Sequence, residues 1–266
     1  MNCTAMTSHS PPSEDPIEVL RWANGRFGDR LVVTASFGDA TLVHLVASTI
    51  PEADVVLLDT GYLFAETDWY ADDLRRRYGL NLRTIHPLPG TDRDVWRSDT
   101  NACCAARKVE PLNRALLGKS AWVTGLRRSD GPSRAGAPVV ASDAARNVTK
   151  INPIAAWTDD DVAAYGAAND LPAHPLADRG YASIGCWPCT VPVAEGDDAR
   201  AGRWAGDVKT ECGLHLAQPA LVGAAVTLTG SGITPNDAEL RDLSSPGCSP
   251  RTPSSPAISC EARWPP

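Results

Sequence analysis

The sequence predicts an α/β fold: a mostly parallel, twisted sheet with helices on both faces, then a Cys/Arg-rich C-terminal segment and a disordered tail. Three observations carry this expectation. Near-unbroken Val/Leu runs recur at short intervals, the mark of strands covered on both faces. Helical patterns alternate with those runs, as the crossovers of a parallel sheet require. After about Leu171 the periodicity stops, and Gly, Pro, Cys and Arg take over.

Residues 1–16 are polar and proline-containing and read as a disordered terminus. "RLVVTAS" from Arg30 is the first strand, and "ATLVHLVAST" is the helix after it. "ADVVLLDT" is a second continuous apolar run. It leads into the helix "ETDWYADDLRRRYG", with Gly79 in the capping position where a left-handed residue ends a helix. "NLRTIHP" and "SAWVTGL" supply two more strands, with the helix "EPLNRALLG" between them. In "WTDDDVAAYGAAND", Thr158 is the N-cap, Asp161 completes a capping box, and three acids occupy the positive first turn. The irregular stretch from Leu171 to His215 reads as a site-bearing excursion. Residues 17–217 form the expected catalytic domain. Residues 218–266 are rich in Pro and Ser, lack periodicity, and read as a disordered tail whose Cys248 and Cys260 receive no role.

At 266 residues with 43% hydrophobic content, the chain can bury a sizeable core in one domain. A net charge of −7 argues against a general nucleic-acid partner, which needs a basic footprint. A local arginine cluster can still attract a small anion. No stretch approaches the roughly 20 apolar residues that span a bilayer. The N-terminus has no basic and apolar pattern of a signal peptide, so a cytoplasmic location is expected. Thiols stay reduced there, and the eight cysteines favour metal binding or catalysis over disulfides.

Four constellations carry chemistry. The first joins Cys103 and Cys104 of "NACCAARK" to Cys186 and Cys189 of "GCWPC". Four soft thiolates suit zinc or an iron–sulfur cluster; inert buried thiols and a redox pair also fit, and spacing does not decide. The second is Cys212 in "KTECGLH", a thiol that needs activation at neutral pH. Lys209 and His215 are its nearby sources of positive charge, Glu211 opposes them, and Gly213 lets the segment bend. The third is a set of arginines in glycine-containing loops: Arg127, Arg128, Arg134, Arg200 and Arg203. Such guanidinium groups suit phosphate or sulfate oxygens, although any one of them is ordinarily a solvated surface charge. The fourth is the strand-to-helix turn "TASFGDAT", with Ser36, Gly38 and Thr41, where backbone N–H groups hold anions. Neither a Walker loop nor a Rossmann fingerprint is present.

Taken in order, "LLDTGYLFAET", "CC..RKVEPL", "AWVTGLRR", "INPIAAWTDDDV", "GYASIGCWPCT", "RAGRW" and "KTECGLH" resemble assimilatory adenylylsulfate (APS) reductase. That family belongs to the wider PAPS reductase group, whose fold is similar to the PP-loop ATP pyrophosphatases. The resemblance runs from about Arg30 to His215. It implies that Cys103, Cys104, Cys186 and Cys189 ligate a 4Fe–4S cluster and that Cys212 is the nucleophile. It also implies that Ser36, Leu58, Lys108, Arg127, Arg200, Arg203 and His215 bind adenylyl sulfate. Asn101 stands where some members have a histidine. The cluster-bearing branch uses APS, and its reaction runs through a Cys S-sulfo intermediate released by thioredoxin. The subunit number is left open, and a homo-oligomer is compatible with the sequence.

Three alternatives remain beside this reading. A PAPS reductase differs only in tolerating a 3′-phosphate. A PP-loop sulfurtransferase or ATP pyrophosphatase needs an "SGGxDS" loop, and "SFGDAT" stands in its place. A zinc-stabilised scaffold uses the four cysteines without chemistry.

Overall fold

Strands β1 (Leu31–Thr34), β2 (Asp54–Leu58), β3 (Leu82–Ile85), β4 (Ala121–Thr124), β5 (Val140–Asp143) and β6 (Val148–Ile151) build one sheet in the order β3-β2-β1-β4-β6-β5. All neighbours are parallel except β5 and β6, which are antiparallel. This computed structural model describes residues 11, 13–194, 196–207 and 209–215. All of them lie in one unit, residues 1–222; the other unit, 223–266, and with it the expected disordered tail, lies outside the described residues.

The apolar runs alternate between two buried layers, as the period-two geometry of a strand demands. Leu31, Val33, Val55, Leu57, Ala121 and Val123 pack into one layer, with residues of α1 (Pro16–Phe27), α2 (Thr41–Thr49) and α3 (Ala65–Tyr78). Val32, Val56 and Trp122 face the other layer, filled by Leu112 and Ala115 of α5 (Glu110–Ala115). Both faces are therefore dry, which is why these strands read as continuous hydrophobic runs. Among the described residues, no helix is long and apolar enough to cross a membrane.

Several local signals act as read. Gly79 ends α3 at φ 64°, ψ 34°. Thr158 Oγ1 accepts from the Asp161 N–H while an Asp161 carboxylate oxygen accepts from the Thr158 N–H, opening α6 (Asp159–Ala168). Two elements were not foreseen. Residues 13–16 do not belong to a disordered terminus: Asp15 accepts from the Ile17 and Glu18 N–H groups and starts α1 at Pro16. The β5–β6 hairpin closes the sheet edge in a segment to which the sequence reading assigned no element.

Strand order reverses at β1: the chain moves outward through β2 and β3, then returns to the other side as β4. Open α/β sheets bind ligands in the crevice outside the carboxyl ends of the strands at such a switch point.

Candidate functional site

A cavity of about 550 Å³ opens at that switch point, lined by the ends of β1, β2 and β4. Its size suits a nucleotide-sized ligand. The turn after β1 carries backbone strain: Phe37 is 1% exposed and held at φ 54°, a left-handed conformation that bulky residues seldom adopt. Such strain concentrates at functional turns, where surrounding packing overrides the local cost. In the same turn, Asp39 Oδ1 accepts from the Thr41 N–H at 2.8 Å, so a carboxylate already occupies the start of α2.

Ser36, Leu58, Lys108, Arg127, Arg200, Arg203, Cys212 and His215 all lie on the wall of this cavity. Ser36 comes from the β1 turn, Leu58 from the end of β2, and Arg127 from the loop after β4. Arg127 is engaged by two carboxylates, Asp130 at 3.0 Å and Asp159 at 2.7 Å. Arg203 passes behind Gly185, where a Cβ would collide with its guanidinium group. A side chain at position 185 would displace that guanidinium group.

The thiols line a second, smaller cavity that shares Thr60, Lys108, Arg203 and Trp204 with the first. Cys103 and Cys104 end α4 (Thr100–Cys104), which Asp99 caps through the Asn101 and Ala102 N–H groups. A π-helical turn, Ala105–Val109, follows without a break and leads into α5. Pro111 explains the widening: it has no N–H for the Arg107 carbonyl, and its ring crowds that carbonyl. Cys103 and Arg107, and Cys104 and Lys108, are four residues apart and share a helical face. Cys186 and Cys189 enter from the loop region, with Cys186 Sγ 3.2 Å from Thr60 Oγ1. Among the described residues, no group of three or more His, Cys, Asp or Glu side chains is placed to hold a single metal ion.

Their electrostatics are mutual. Burial, then the neighbouring Cys104 and Cys186 sulfurs, pushes the Cys103 thiol up to about 11. Burial likewise raises Cys104 and Cys189. Burial pulls Lys108 down, but the sulfurs of Cys186, Cys212 and Cys104 outweigh it and hold the ammonium above its ordinary value.

Cys212 packs with Cys104 and Trp204, at 9% exposure. Burial opposes its ionisation, yet Lys108, the Leu214 backbone N–H and Arg203 together bring the thiol below its ordinary value. This corrects the expected source of activation. Lys209 Nζ instead donates to the Thr100 carbonyl and Asn101 Oδ1, both at 2.8 Å. His215 is held well below 6.5 by burial and by Lys150, Arg134, Arg146 and Arg200, so it stays neutral, stacked on Trp122 with ring centroids 5.6 Å apart.

Sequence reasoning missed Arg107 and Trp204 as site residues. Arg107 is buried and donates to the backbone carbonyls of Thr60, Thr91 and Asp92. Its spacing from Cys103 was the available signal. Trp204 sits at φ 51° beneath the guanidinium groups of Arg200 and Arg203 and the Lys209 ammonium. Its importance had no local signal.

A family model described as the phosphoadenosine phosphosulfate reductase domain matches residues 30–192, more than half of the chain. The chain belongs to the phosphoadenosine phosphosulfate reductase family. Among the relatives of this family member is the adenosine 5′-phosphosulfate reductase of Streptomyces coelicolor, 47% identical over 206 residues, covering 75% of this chain and 87% of that protein. The protein of the same name from Mycobacteroides abscessus is 47% identical over 209 residues, with the same coverage. A crystal structure of phosphoadenylyl-sulfate (PAPS) reductase from Candida auris, in a phosphate complex, aligns with a TM-score of 0.58 and 31% identity, covering 66% of this chain and 90% of that one. Candida glabrata FMN adenylyltransferase, at 14% identity and a TM-score of 0.50, shares the fold alone.

Proposed function

We propose that this family member is a thioredoxin-dependent adenylyl-sulfate reductase, converting APS to sulfite and AMP through a covalent intermediate on Cys212. One observation carries the reading: a thiol whose ionisation Lys108 and Arg203 ease lies on the wall of a nucleotide-sized cavity that those two cations also line. The relatives named adenosine 5′-phosphosulfate reductase favour APS as the substrate.

The chemistry follows from charge. The Cys212 thiolate attacks the sulfate sulfur of APS, an S–S bond forms, and the S–O bond to phosphate breaks with its electron pair leaving on AMP. Anion must approach anion, so cations that face both partners lower the barrier. Lys108 and Arg203 border both cavities and are suited to that role. Arg127 and Arg200 supply further guanidinium groups for the phosphosulfate, with Ser36, Leu58 and neutral His215 as polar, backbone and ring contacts on the same wall. A reduced dithiol protein then attacks the Cys212 sulfur and releases sulfite, and its second thiol resolves the mixed disulfide. Two electrons pass from dithiol to sulfur, regenerating Cys212. Splitting the transfer into two displacements is the advantage of a covalent intermediate.

Cys103, Cys104, Cys186 and Cys189 fit a 4Fe–4S cluster as its ligands. All four thiols line the one smaller cavity, as the ligands of a single metal centre would. A four-iron cluster takes one thiolate per iron, and burial raises the thiols of Cys103, Cys104 and Cys189, so a cationic centre would be what brings them to the thiolate form. Bound there, a cluster would be held by α4 and the Cys186–Cys189 turn together and would add its charge beside Lys108. The thiols suit the reducing cytoplasm.

The test is an anaerobic assay with thioredoxin. APS gives equal amounts of sulfite and AMP, and PAPS turns over at least about tenfold more slowly. Faster reaction with PAPS selects the PAPS reductase alternative, and no sulfite from either removes the reading.

A further inference from the structure

The segment carrying Cys212 is gripped at Glu211 by an ion-pair cluster whose centre, the Arg134–Glu211 pair, has no part in the proposed chemistry. Glu211 Oε1 accepts from Ser133 Oγ at 3.0 Å and from Arg134 Nε at 2.6 Å; Glu211 Oε2 accepts from Arg134 Nη2 at 2.8 Å. Both nitrogens of one edge of the guanidinium thus engage both oxygens of one carboxylate, the bidentate geometry that fixes orientation as well as charge. The side chains are 10% and 6% exposed, so water does little to screen them. Arg134 is itself steadied by Asp130 at 2.8 Å, and Arg200 approaches Glu211 at 3.7 Å while donating to the Thr210 carbonyl at 3.0 Å.

We propose that Arg134 is a positioning residue: by clasping Glu211 it holds the adjacent Cys212 against the cavity wall in the attacking position. The proposal rests on the assignment of Cys212 as nucleophile. The position of the pair supports it. Glu211 immediately precedes Cys212, so a carboxylate fixed in two directions leaves the thiol little freedom to swing. Without the arginine, the same buried carboxylate would keep only Ser133 and the longer Arg200 contact, and more of its negative charge would face the thiol. The clasp also accounts for a glutamate next to a residue that must ionise: Arg134 takes up the charge that otherwise opposes thiolate formation. The later handover to a protein dithiol requires the segment to leave, and the clasp is the ionic contact that such a movement must break.

The test compares Arg134→Gln, Glu211→Gln and the double variant, with iodoacetamide labelling of Cys212 followed by mass spectrometry of the peptide spanning residues 209–215. Released from the clasp, Cys212 labels at least about tenfold faster in both single variants, and kcat falls while KM for APS changes little. The double variant is no worse than the more severe single one, because both changes remove one interaction. Glu211→Asp retains part of the activity. A purely electrostatic influence moves the two single variants in opposite directions, since one removes a positive and the other a negative charge, and that result overturns the proposal. So do unchanged labelling with a raised KM, which makes Arg134 a direct substrate contact, and losses that add in the double variant. Should Arg134→Gln fail to fold, Glu211→Gln at the edge of the described domain carries the labelling test alone. Labelling needs no substrate, so a failed clasp and a failed nucleophile assignment give separate results.

Discussion

The backbone N–H of Trp204 donates to the Cys189 carbonyl at 2.9 Å. This bond joins the turn that carries Arg200 and Arg203 to the turn that carries Cys186 and Cys189. A neighbouring bridge between Thr190 and Arg203 extends the join, and the buried indole then packs on Cys104 and Cys212. Thiols, cations and reactive segment are thereby held in one piece, at the cost of a tryptophan in left-handed backbone.

Gly185→Ala tests how Arg203 is held there. The added methyl collides with the guanidinium group, which must leave the partition between the cavities. The expected result is a loss of about 10²-fold in kcat/KM for APS, the scale of removing one electrostatic stabiliser. Melting should move by only a few degrees, because Gly185 lies outside the sheet core. Steady-state kinetics and a thermal melt check both.

Lys108→Ala removes the ammonium bordering both cavities. Turnover should fall by about 10²- to 10³-fold. The Cys212 thiol should also titrate higher, since Lys108 is the largest influence holding it down. Equal losses of turnover and stability would make Lys108 a structural lysine instead.

The docked segment should be acid-labile, and two groups set the direction. His215 has a folded pKa well below 6.5, through burial and the facing Lys150, Arg134, Arg146 and Arg200. It therefore resists a proton that the released chain accepts, and docking weakens as pH falls below about 6.5. Glu211 has a folded pKa below 4.5: burial opposes this, but the hydrogen bonds and charge of Arg134, with Arg200 and Ser133, outweigh it. Its contribution is complete above about 4.5 and is lost as pH falls through the lower folded value. Hydrogen exchange of the 209–215 peptide, corrected for intrinsic rate, should therefore rise in two stages on acidification. Glu211→Gln should abolish the lower stage and His215→Gln the upper.

Much of this was legible in the sequence, and the reason differs by element. The parallel sheet showed itself because Val32, Val33, Val55, Val56 and Leu57 are buried on alternating faces, which leaves an unbroken apolar run. The capping box at Thr158 is a contact over three residues, so spacing alone reveals it. The β5–β6 hairpin was hidden because its four-residue strands sit among charges and glycines. At the site, the residue types pointed to one cavity, but the partners did not show. Lys209 and His215 were adjacent in sequence to Cys212, whereas the cations that lower its pKa, Lys108 and Arg203, come from distant segments. Charge assignments across the fold depend on three-dimensional neighbours, and sequence proximity misassigned them.

Iron content separates the two sets of cysteines. Protein purified anaerobically should carry about four iron and four sulfide per chain. Cys186→Ser should lose most of both, whereas Cys212→Ser should keep them and lose activity. Zinc without sulfide in the unaltered protein would support the scaffold alternative.

The most direct measurement is intact-protein mass spectrometry after anaerobic incubation with APS and no reductant. The account predicts a gain of about 80 daltons, one SO3 group held as a covalent intermediate, on the peptide containing Cys212 and reversed by thioredoxin. An unchanged mass, or the same gain on the Cys212→Ser variant, would contradict it.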